Sequence, residues 1–386
     1  MDSTVKCHLC GAGVLEPITG YETLSRVTSD CRPWKKGGRL GVCPTCGGVQ
    51  KVIDEDFHRE CREIYDSYAV YFQGEGEEQR VFEQTAGVSR SRSEAIITGL
   101  SAGFEFPLRG RLLDFGCGNG NLLKTFSRLF PDWDLAGAEM NDKHREKVEA
   151  VKSGCRFFSC GLEELPGYFD MISLLHTLEH MTAPLEFLTT VRDKLAGPGL
   201  LLLELPDWTQ NPFDLIIADH AAHFHLPRIE SLILRAGFEI VRLEAGLVPK
   251  EISVLARKIE SRNEDTTLEG LEAISPAPQV QKAINWLHET RRLALRAADR
   301  GRLGVFGTSI AGVWLRGELG EAVEFFVDED RSRAGRLLFG KKVYLPEEVP
   351  AGSQVVLALA PQVAAGVWKR MRRIQADFHL PPPWED

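Results

Sequence analysis

The N-terminal part of the sequence contains two pairs of cysteines with the Cys-x-x-Cys spacing. Cys7 and Cys10 lie in CHLCG, and Cys43 and Cys46 lie in CPTCGG. In a reducing compartment this pattern is typical of metal ligation, because two thiolates from one tight turn reach one ion and two such turns complete a tetrahedral site. Four thiolates leave no open position for a reactant, so we predict a structural zinc ion.

A glycine-rich turn follows the apolar stretch that ends at Asp114. Gly116, Gly118 and Gly120 allow the backbone to turn sharply and to approach a ligand at the start of the next helix. Glu139 ends the next apolar stretch, where a carboxylate can accept hydrogen bonds from ribose hydroxyls. A dinucleotide and S-adenosylmethionine (SAM) both suit such a turn, but Asp114 would repel a pyrophosphate and attract a methionine ammonium group. The sequence therefore predicts a SAM site.

Apolar stretches that alternate with amphipathic ones must position this turn. From about residue 95 to residue 257 the predicted buried strands are RLLDFGC, DLAGAEM, FDMISLL, GLLLLELP and FEIVRLEA. This alternation predicts an α/β fold with a doubly wound sheet. We assign residues 1–70 to a zinc-binding module and residues 71–257 to the SAM-binding domain.

A polar stretch, RKIESRNEDTTLEG, predicts a linker after this domain. Beyond it, a helical pattern and the strands RLGVFG, VEFFVDED and QVVLALA predict a second, smaller Rossmann-like domain over residues 276–386. Its glycines, Gly304, Gly307 and Gly312, do not have the G-x-G-x-x-G spacing, so we expect no NAD site.

Composition limits the class of partner. The 386 residues carry a net charge of −9, which argues against broad binding to a nucleic-acid backbone. No apolar run approaches the roughly 20 residues that cross a bilayer, and the first residues lack the apolar core of a signal peptide. We expect a cytoplasmic protein that binds a small molecule and neither nucleic acid nor membrane; its oligomeric state is open, and a monomer is compatible with the sequence.

The motif DFGCGNG, then Glu139, then FDMISLLHTLEHM resembles the class I SAM-dependent methyltransferases. The resemblance implies a Rossmann-like core and adds residues to the predicted cofactor site, namely Asn119, Leu162, Leu175 and His176. His176, Glu179 and His180 also fit a helix start that many such enzymes share without using it in catalysis. Both interpretations of these three residues stay open.

The order of segments resembles the nucleotide-sugar C-methyltransferases. A four-cysteine module comes first, then the tyrosines of YDSYAVYFQGEG, the methyltransferase core, and a tail containing GVFGTSIAG. The resemblance implies an enzyme of deoxysugar biosynthesis that acts on a keto-deoxysugar linked to TDP. In that reaction a base removes a proton beside the ketone, and the enolate carbon attacks the sulfonium methyl group.

The resemblance also implies roles for individual residues. Asp219 and His220 occupy the acid–histidine pair of IADHAAHF, with His220 as the base and Asp219 orienting its ring and stabilising the imidazolium. His180 would donate a hydrogen bond to the enolate oxygen. Tyr68 and Tyr71 match the tyrosine region that faces the substrate.

The sequence departs from the family pattern in this region. Asp219 replaces a glutamate, Ile217 stands where a tyrosine is common, and His223 replaces another aromatic residue. QGEGEE stands where a serine-rich stretch commonly follows the tyrosines. Methylation of oxygen or nitrogen on a sugar or another small metabolite, and a non-catalytic scaffold that binds cofactor or sugar, therefore stay open as alternatives.

Two further alternatives concern side chains outside the cofactor site. A loop metal site would use Asp219, His220, His223 and His225. A basic stretch of the zinc module, which could hold a diphosphate or form a solvated face, comprises Arg32, Lys35, Lys36 and Arg39. For the tyrosines, packing between modules is the alternative to substrate contact.

Overall fold

Small antiparallel sheets form the N-terminal part of the chain in the computed structural model, which describes residues 5–68, 78, 80–83, 88–259 and 275–384. Its elements are β1 (Glu16–Pro17), β2 (Arg26–Val27), β3 (Pro33–Trp34), β4 (Leu40–Val42), β5 (Val49–Lys51) and helix α1 (Glu55–Asp66). Helix α1 begins after Asp54, whose side chain accepts a hydrogen bond from the backbone of Phe57 and so caps the helix. A separate antiparallel pair, β6 (Arg80–Glu83) and β7 (Val88–Ser91), follows.

The central sheet has seven strands. They are β8 (Arg111–Phe115), β9 (Asp134–Ala138), β10 (Arg156–Phe158), β11 (Phe169–Leu175), β12 (Leu195–Pro206), β14 (Phe238–Ala245) and β15 (Glu251–Lys258). The helices around it are α2 (Arg92–Leu100), α3 (Asn121–Leu129), α4 (Arg145–Glu149), α5 (Pro184–Lys194) and α6 (Leu226–Arg235). A short strand, β13 (Ala222–His223), leaves this domain and pairs with β5, so the N-terminal sheet has the order β1-β4-β5-β13.

The order of the central sheet, β10-β9-β8-β11-β12-β15-β14, reverses direction between β8 and β11. The first five strands are parallel, so their carboxyl ends lie at one edge. Ligands of open α/β sheets bind at this edge, beside the point where the strand order reverses. The glycine turn after β8 and the histidines after β11 flank that point.

The C-terminal sheet has the order β18-β19-β17-β16-β20-β21. Its strands are β16 (Leu303–Phe306), β17 (Val323–Val327), β18 (Leu337–Leu338), β19 (Lys341–Tyr344), β20 (Gln354–Leu357) and β21 (Asp377–His379), and its helices are α7 (Ala277–Ala298), α8 (Ile310–Leu319) and α9 (Pro361–Met371). All its strand pairs except β18–β19 are parallel.

The predicted fold class is confirmed, because both sheets are of the α/β type and a small sheet precedes them. Every strand predicted from an apolar stretch is present. The sequence analysis did not predict β15, which pairs antiparallel with both β12 and β14. Most of the predicted linker, residues 260–270, lies outside the described residues.

One apolar core joins the N-terminal module to the C-terminal domain. The rings of Phe213 and Trp314 lie 5.6 Å apart, and those of Phe213 and Trp286 lie 5.4 Å apart. Tyr21 and Val27 of the N-terminal module belong to the same buried cluster. Among the described residues, none of the helices combines the length and the apolar character that a bilayer crossing requires.

Candidate active site

The turn between β8 and α3 has a backbone conformation that favours glycine. Gly116, Gly118 and Gly120 have φ angles of 79°, 49° and 77°, in the left-handed region. A Cβ atom on Gly116 would lie 2.4 Å from Oγ1 of Thr177, in the turn after β11. The glycines therefore bring bare backbone to the carboxyl edge of the sheet, where α3 begins at Asn121.

One buried and one half-buried carboxyl group flank this turn. Asp114 accepts a 2.8 Å hydrogen bond from Oγ of Ser173 on β11, and burial raises its pKa to about 7. Glu139 follows β9 and accepts a 2.7 Å bond from the backbone N–H of Gly118; burial raises its pKa too. This arrangement fits the polar groups of SAM. Asp114 can bind its ammonium group and Glu139 its ribose hydroxyls, and both lie beside the backbone of the glycine turn.

The other predicted cofactor residues lie at the same edge. Leu175 is the last residue of β11, and His176 follows it with a φ of 51° and donates from Nδ1 to Oε1 of Glu179 at 3.1 Å. Leu162 is buried in the short turn Leu162–Glu164 after β10. Asn119 is buried within the glycine turn.

His180 ends the short helical turn after β11. Its Nδ1 atom lies 3.0 Å from the backbone oxygen of Asp219 and 3.0 Å from the hydroxyl of Tyr65. Because a backbone oxygen only accepts, the ring hydrogen belongs on Nδ1. Burial and the neighbouring His220 lower the pKa of His180, so its neutral ring has a bare Nε2. Contrary to the sequence-based expectation, the neutral ring cannot donate from Nε2 to an enolate oxygen.

Asp214 orients His220, which corrects the role expected for Asp219. Nδ1 of His220 lies 2.9 Å from Oδ1 of Asp214, so the carboxylate accepts the Nδ1 hydrogen and Nε2 is left as the basic atom. Burial lowers the pKa of His220, but the carboxylates of Asp214 and Glu179 outweigh burial and raise it overall. The ring stacks edge-on against His180, with centroids 4.8 Å apart.

Asp219 cannot orient its neighbour because its carboxylate faces the N-terminal module. Oδ1 accepts from the backbone N–H of Ser29 at 2.9 Å, and Oδ2 accepts from the Ser29 hydroxyl at 2.5 Å. The carboxylate of Asp219 and the ring of His220 therefore have different partners, Ser29 and Asp214. Asp219 still borders the cluster, since its Oδ2 lies 3.5 Å from Nδ1 of His180.

The tyrosines at the end of α1 lie beside these histidines. The hydroxyl of Tyr68 is 3.2 Å from that of Ser29, and its backbone oxygen accepts a 3.1 Å bond from Lys143, just after Glu139. Tyr71, the other predicted tyrosine, lies outside the described residues. Tyr65, which the sequence analysis did not select, provides the hydroxyl on His180.

The sequence analysis did not select three residues that contact His220, Asp219 or His180, namely Asp214, Ser29 and Tyr65. Asp214 carries a signal, because an acidic residue inside the apolar run PFDLIIA is expected to be buried with a partner. Ser29 and Tyr65 carry none, since their role depends on contacts with residues far along the chain.

The four predicted metal-binding cysteines form one cluster. Their Sγ atoms lie within 4.8 Å of one another, with Cys7–Cys46 at 3.6 Å and Cys10–Cys43 at 3.7 Å. Zinc–sulfur bonds of about 2.3 Å in a tetrahedron place sulfur atoms roughly 3.8 Å apart. The spacing of the thiols therefore fits a tetrahedral metal ion.

Helix α6 of the central domain holds the cysteine turns in place. Arg228 donates to the backbone oxygen of Cys46 at 2.8 Å, and Arg235 donates to that of Leu9 at 3.3 Å. Nε2 of Gln50 donates to Sγ of Cys7 at 3.0 Å. The cluster thus fixes the N-terminal sheet against the central domain, and β5 and β13 carry this constraint towards His220.

The structure does not favour the loop metal site of Asp219, His220, His223 and His225, nor a diphosphate site on the basic stretch. In the described part of the chain, Asp219 and His225 belong to no group of potential metal ligands. The two histidine groups that could bind a metal are Glu179, His180 and His220, and Asp214, His220 and His223.

Each cation of the basic stretch already faces a carboxylate. The pairs are Arg32 with Asp30, Lys35 with Glu60 and Glu63, Lys36 with Glu318, and Arg39 with Asp54. The stretch is therefore neutralised within the protein.

Solved methyltransferase structures are similar to part of this chain. CalO1, a methyltransferase in calicheamicin biosynthesis, is 18% identical, with 43% of this chain and 53% of that chain covered and a TM-score of 0.37. The plantazolicin methyltransferase BpumL is 13% identical, with 43% and 82% covered and a TM-score of 0.36.

Curated relatives match about a quarter of the chain. The mitochondrial ubiquinone biosynthesis O-methyltransferase of Schizosaccharomyces pombe is 28% identical over 24% of this chain and 36% of its own length. The corresponding enzyme of Cereibacter sphaeroides is 32% identical over 25% and 41%. The chain thus spans about two fifths of the length of the curated relatives it matches.

A family described as "Methyltransferase domain" matches residues 89–243. The matched range contains the glycine turn, both carboxyl groups that flank it, and the histidines after β11 and β12. Residues 89–243 therefore form a SAM-dependent methyltransferase domain.

Proposed function

We propose that the protein is a SAM-dependent C-methyltransferase that acts on a keto-deoxysugar linked to a nucleotide. The observation that carries the proposal is a buried imidazole, His220, whose Nδ1 is bonded to a carboxylate beside the methyltransferase site. Removing a proton from the carbon beside a ketone needs such a base. The order of segments, which resembles the nucleotide-sugar C-methyltransferases, supports the same class of acceptor.

The cofactor residues have separate tasks in this proposal. The carboxylate of Asp114 would hold the ammonium group of SAM, and Glu139 would exchange its bond from Gly118 for the ribose hydroxyls. When bound, SAM supplies a methyl group on a positively charged sulfur. Cys7, Cys10, Cys43 and Cys46 would hold a structural zinc ion with no part in the chemistry.

His220 would act as the base through Nε2. Asp214 keeps the ring hydrogen on Nδ1, and the raised pKa of the buried ring makes Nε2 a stronger proton acceptor. A positioned base of this kind contributes roughly 10²–10⁴-fold to rate. The negative charge of Asp214 would then stabilise the imidazolium that forms.

Tyr65 would donate the hydrogen bond that the enolate oxygen needs. Nδ1 of His180 carries its own hydrogen, so the hydroxyl hydrogen of Tyr65 is not used on that ring. Burial and the charge of Asp219 raise the pKa of Tyr65 well above its usual range, so the phenol is protonated at neutral pH and can donate. His180 would then hold the Tyr65 oxygen in place.

The proposal is tested with SAM carrying a ¹³C methyl group and a panel of TDP-linked keto-deoxysugars. The expected product has its labelled methyl carbon bonded to carbon, which ¹³C NMR distinguishes from a methyl on oxygen or nitrogen. A product methylated on oxygen would favour the reaction named in the curated relatives, which are O-methyltransferases. Binding of SAM without transfer to any acceptor would favour a non-catalytic scaffold.

A further inference from the structure

A chain of buried polar groups continues from His220 into the N-terminal module. Asp214 bonds His220 through Oδ1 at 2.9 Å and His223 through Oδ2 at 2.7 Å. Nε2 of His223 lies 2.8 Å from Nζ of Lys51, which also donates to the backbone oxygen of Leu215 at 2.6 Å. The four side chains are at most 3% exposed.

The hydrogens of this chain can be assigned from the chemistry of its members. A carboxylate accepts only, so both histidines carry a hydrogen on Nδ1. Burial and the nearby Lys51 lower the pKa of His223 to about 4, so its ring is neutral and its Nε2 is bare. Lys51 donates to that bare atom. Each hydrogen bond in the chain therefore has one possible direction.

We propose that Asp214, His223 and Lys51 are positioning residues that hold His220 in the tautomer with its hydrogen on Nδ1, so that Nε2 is free to take a proton. The inference deepens the proposed function, since it rests on His220 as the base. It also gives the N-terminal module a role in positioning His220. Lys51 is the last residue of β5, whereas Asp214, His220 and His223 belong to the central domain.

Backbone contacts fix both ends of this chain. The backbone N–H of Lys51 donates to the oxygen of Ala221 at 2.9 Å, and β5 pairs with β13 through Val49 and His223. On the other side, Ala221 donates to the oxygen of Glu179 at 2.7 Å. The loop that carries His220 is therefore held between the N-terminal sheet and the turn after β11.

Asp214→Asn tests the direction of these hydrogen bonds. A carboxylate only accepts, whereas an amide has one accepting oxygen and one donating NH₂ group. As long as Lys51 donates to Nε2 of His223, the hydrogen of His223 stays on Nδ1, so the amide oxygen serves His223 and the amide NH₂ faces His220. His220 then has to accept at Nδ1 and carry its hydrogen on Nε2, which removes the base. We expect methyl transfer to fall by roughly 10²–10⁴-fold, with the SAM dissociation constant unchanged within about twofold.

Adding Lys51→Met to Asp214→Asn should restore part of the activity. Without the lysine, His223 can accept the amide NH₂ at Nδ1 and move its own hydrogen to Nε2. The amide oxygen is then free to accept from His220, whose Nε2 becomes bare again. We expect the double variant to exceed Asp214→Asn by at least about tenfold, which a merely structural role of these residues would not produce.

The tautomer itself is measured by NMR of protein containing ¹⁵N-labelled histidine, without any acceptor. Resonances of His220 are assigned by their absence in His220→Gln. Because Asp214, Glu179, Asp219 and His180 all face this ring, spectra are recorded at a pH high enough to keep it neutral. We expect the Nδ1–H form in the wild type and in the double variant, and the Nε2–H form in Asp214→Asn.

Asp207→Asn is the matched control, because Asp207 is also buried near the end of β12 but bonds Thr209 instead of a histidine. It should leave the His220 tautomer unchanged. An Nε2–H tautomer in the wild type, an unchanged tautomer in Asp214→Asn, or a double variant no better than Asp214→Asn would overturn the inference. The expected tautomers without C-methylation of any keto-sugar would instead support the chain and count against the proposed function.

Discussion

Asp114 is the residue whose environment is best matched to a positively charged ligand. It is buried between β8 and β11, with the Ser173 hydroxyl as its hydrogen-bond donor and no described cation in an ion pair with it. Its raised pKa, about 7, means that the carboxyl group is only partly ionised in the free protein at neutral pH. A bound ammonium group would favour the ionised form and lower that pKa.

This predicts that SAM binds more tightly as the pH rises through about 7. Below this pH the free Asp114 is protonated, so binding an ammonium group requires loss of that proton and is weaker. Asp114→Asn should weaken binding by about 10–100-fold at pH 8 and remove most of the pH dependence. Isothermal titration calorimetry between pH 6 and pH 8 measures both effects. An unchanged pH dependence in the variant would show that another group titrates.

The limits of sequence-based prediction differ among single residues. The glycine turn is local, so Asp114 and its glycines could be selected directly as a predicted cofactor site, and the four cysteines could be selected by their spacing. The partner of His220 was not found, because Asp219 is adjacent in sequence while Asp214 is brought to the ring by the fold of the loop. Tyr65 depends on where α1 ends against the central domain, which no local pattern encodes.

At the scale of elements, the turn after β11 connects the glycine turn to His220. Its Thr177 packs against Gly116, while its His180 stacks on His220. A change in the glycine turn should therefore affect both cofactor binding and the position of the histidines.

Gly116→Ala should lower SAM affinity by at least about tenfold, because its Cβ would meet Thr177 at 2.4 Å in addition to straining a left-handed backbone. Gly103→Ala is the control, since Gly103 has a φ of 83° but nothing within 4 Å of its Cβ position. Calorimetric titration with SAM measures both variants. Equal affinities would mean that close packing at Gly116 is not required.

The cysteine turns are expected to depend on zinc for their structure. Cys46→Ser should reduce bound zinc well below one ion per chain and lower the melting temperature by about 5–10 °C, because metal binding contributes to folding. Cys160→Ser, outside the cluster, should change neither quantity. Metal content by atomic emission and calorimetric melting test this, and full zinc occupancy in Cys46→Ser would contradict it.

Element prediction failed where pairing is non-local. The stretch that forms β15 was assigned partly to the linker, although it pairs along its whole length with β12 and β14. β13 is too short to recognise in sequence, and it forms only because β5 offers an edge. The boundaries 1–70, 71–257 and 276–386 remain predictions, since elements from different segments share sheets and cores.

At the scale of the whole molecule, the N-terminal module mediates between the other two domains. Its cysteine turns pack on α6, and its opposite side shares a buried core with α7 and α8. The C-terminal domain is thereby connected to the same module that supplies Lys51.

Trp314→Ala should destabilise the protein by about 3–5 kcal/mol, because this ring is fully buried against Phe213 in the core that joins the domains. Trp368→Ala, a partly exposed position on α9, should cost less. Urea denaturation monitored by circular dichroism gives both values. Similar losses for the two variants would indicate that the shared core contributes little.

The central claim is that His220 removes a proton from the carbon that becomes methylated. Its most direct test is exchange of the α-hydrogen of a TDP-linked keto-deoxysugar in deuterated water, followed by ¹H NMR with S-adenosylhomocysteine present and no methyl donor. We predict exchange with the wild type and roughly 10²–10⁴-fold slower exchange with His220→Ala, while both bind S-adenosylhomocysteine equally. Exchange at the same rate in His220→Ala would contradict the claim, as would methyl transfer to carbon by that variant at the wild-type rate.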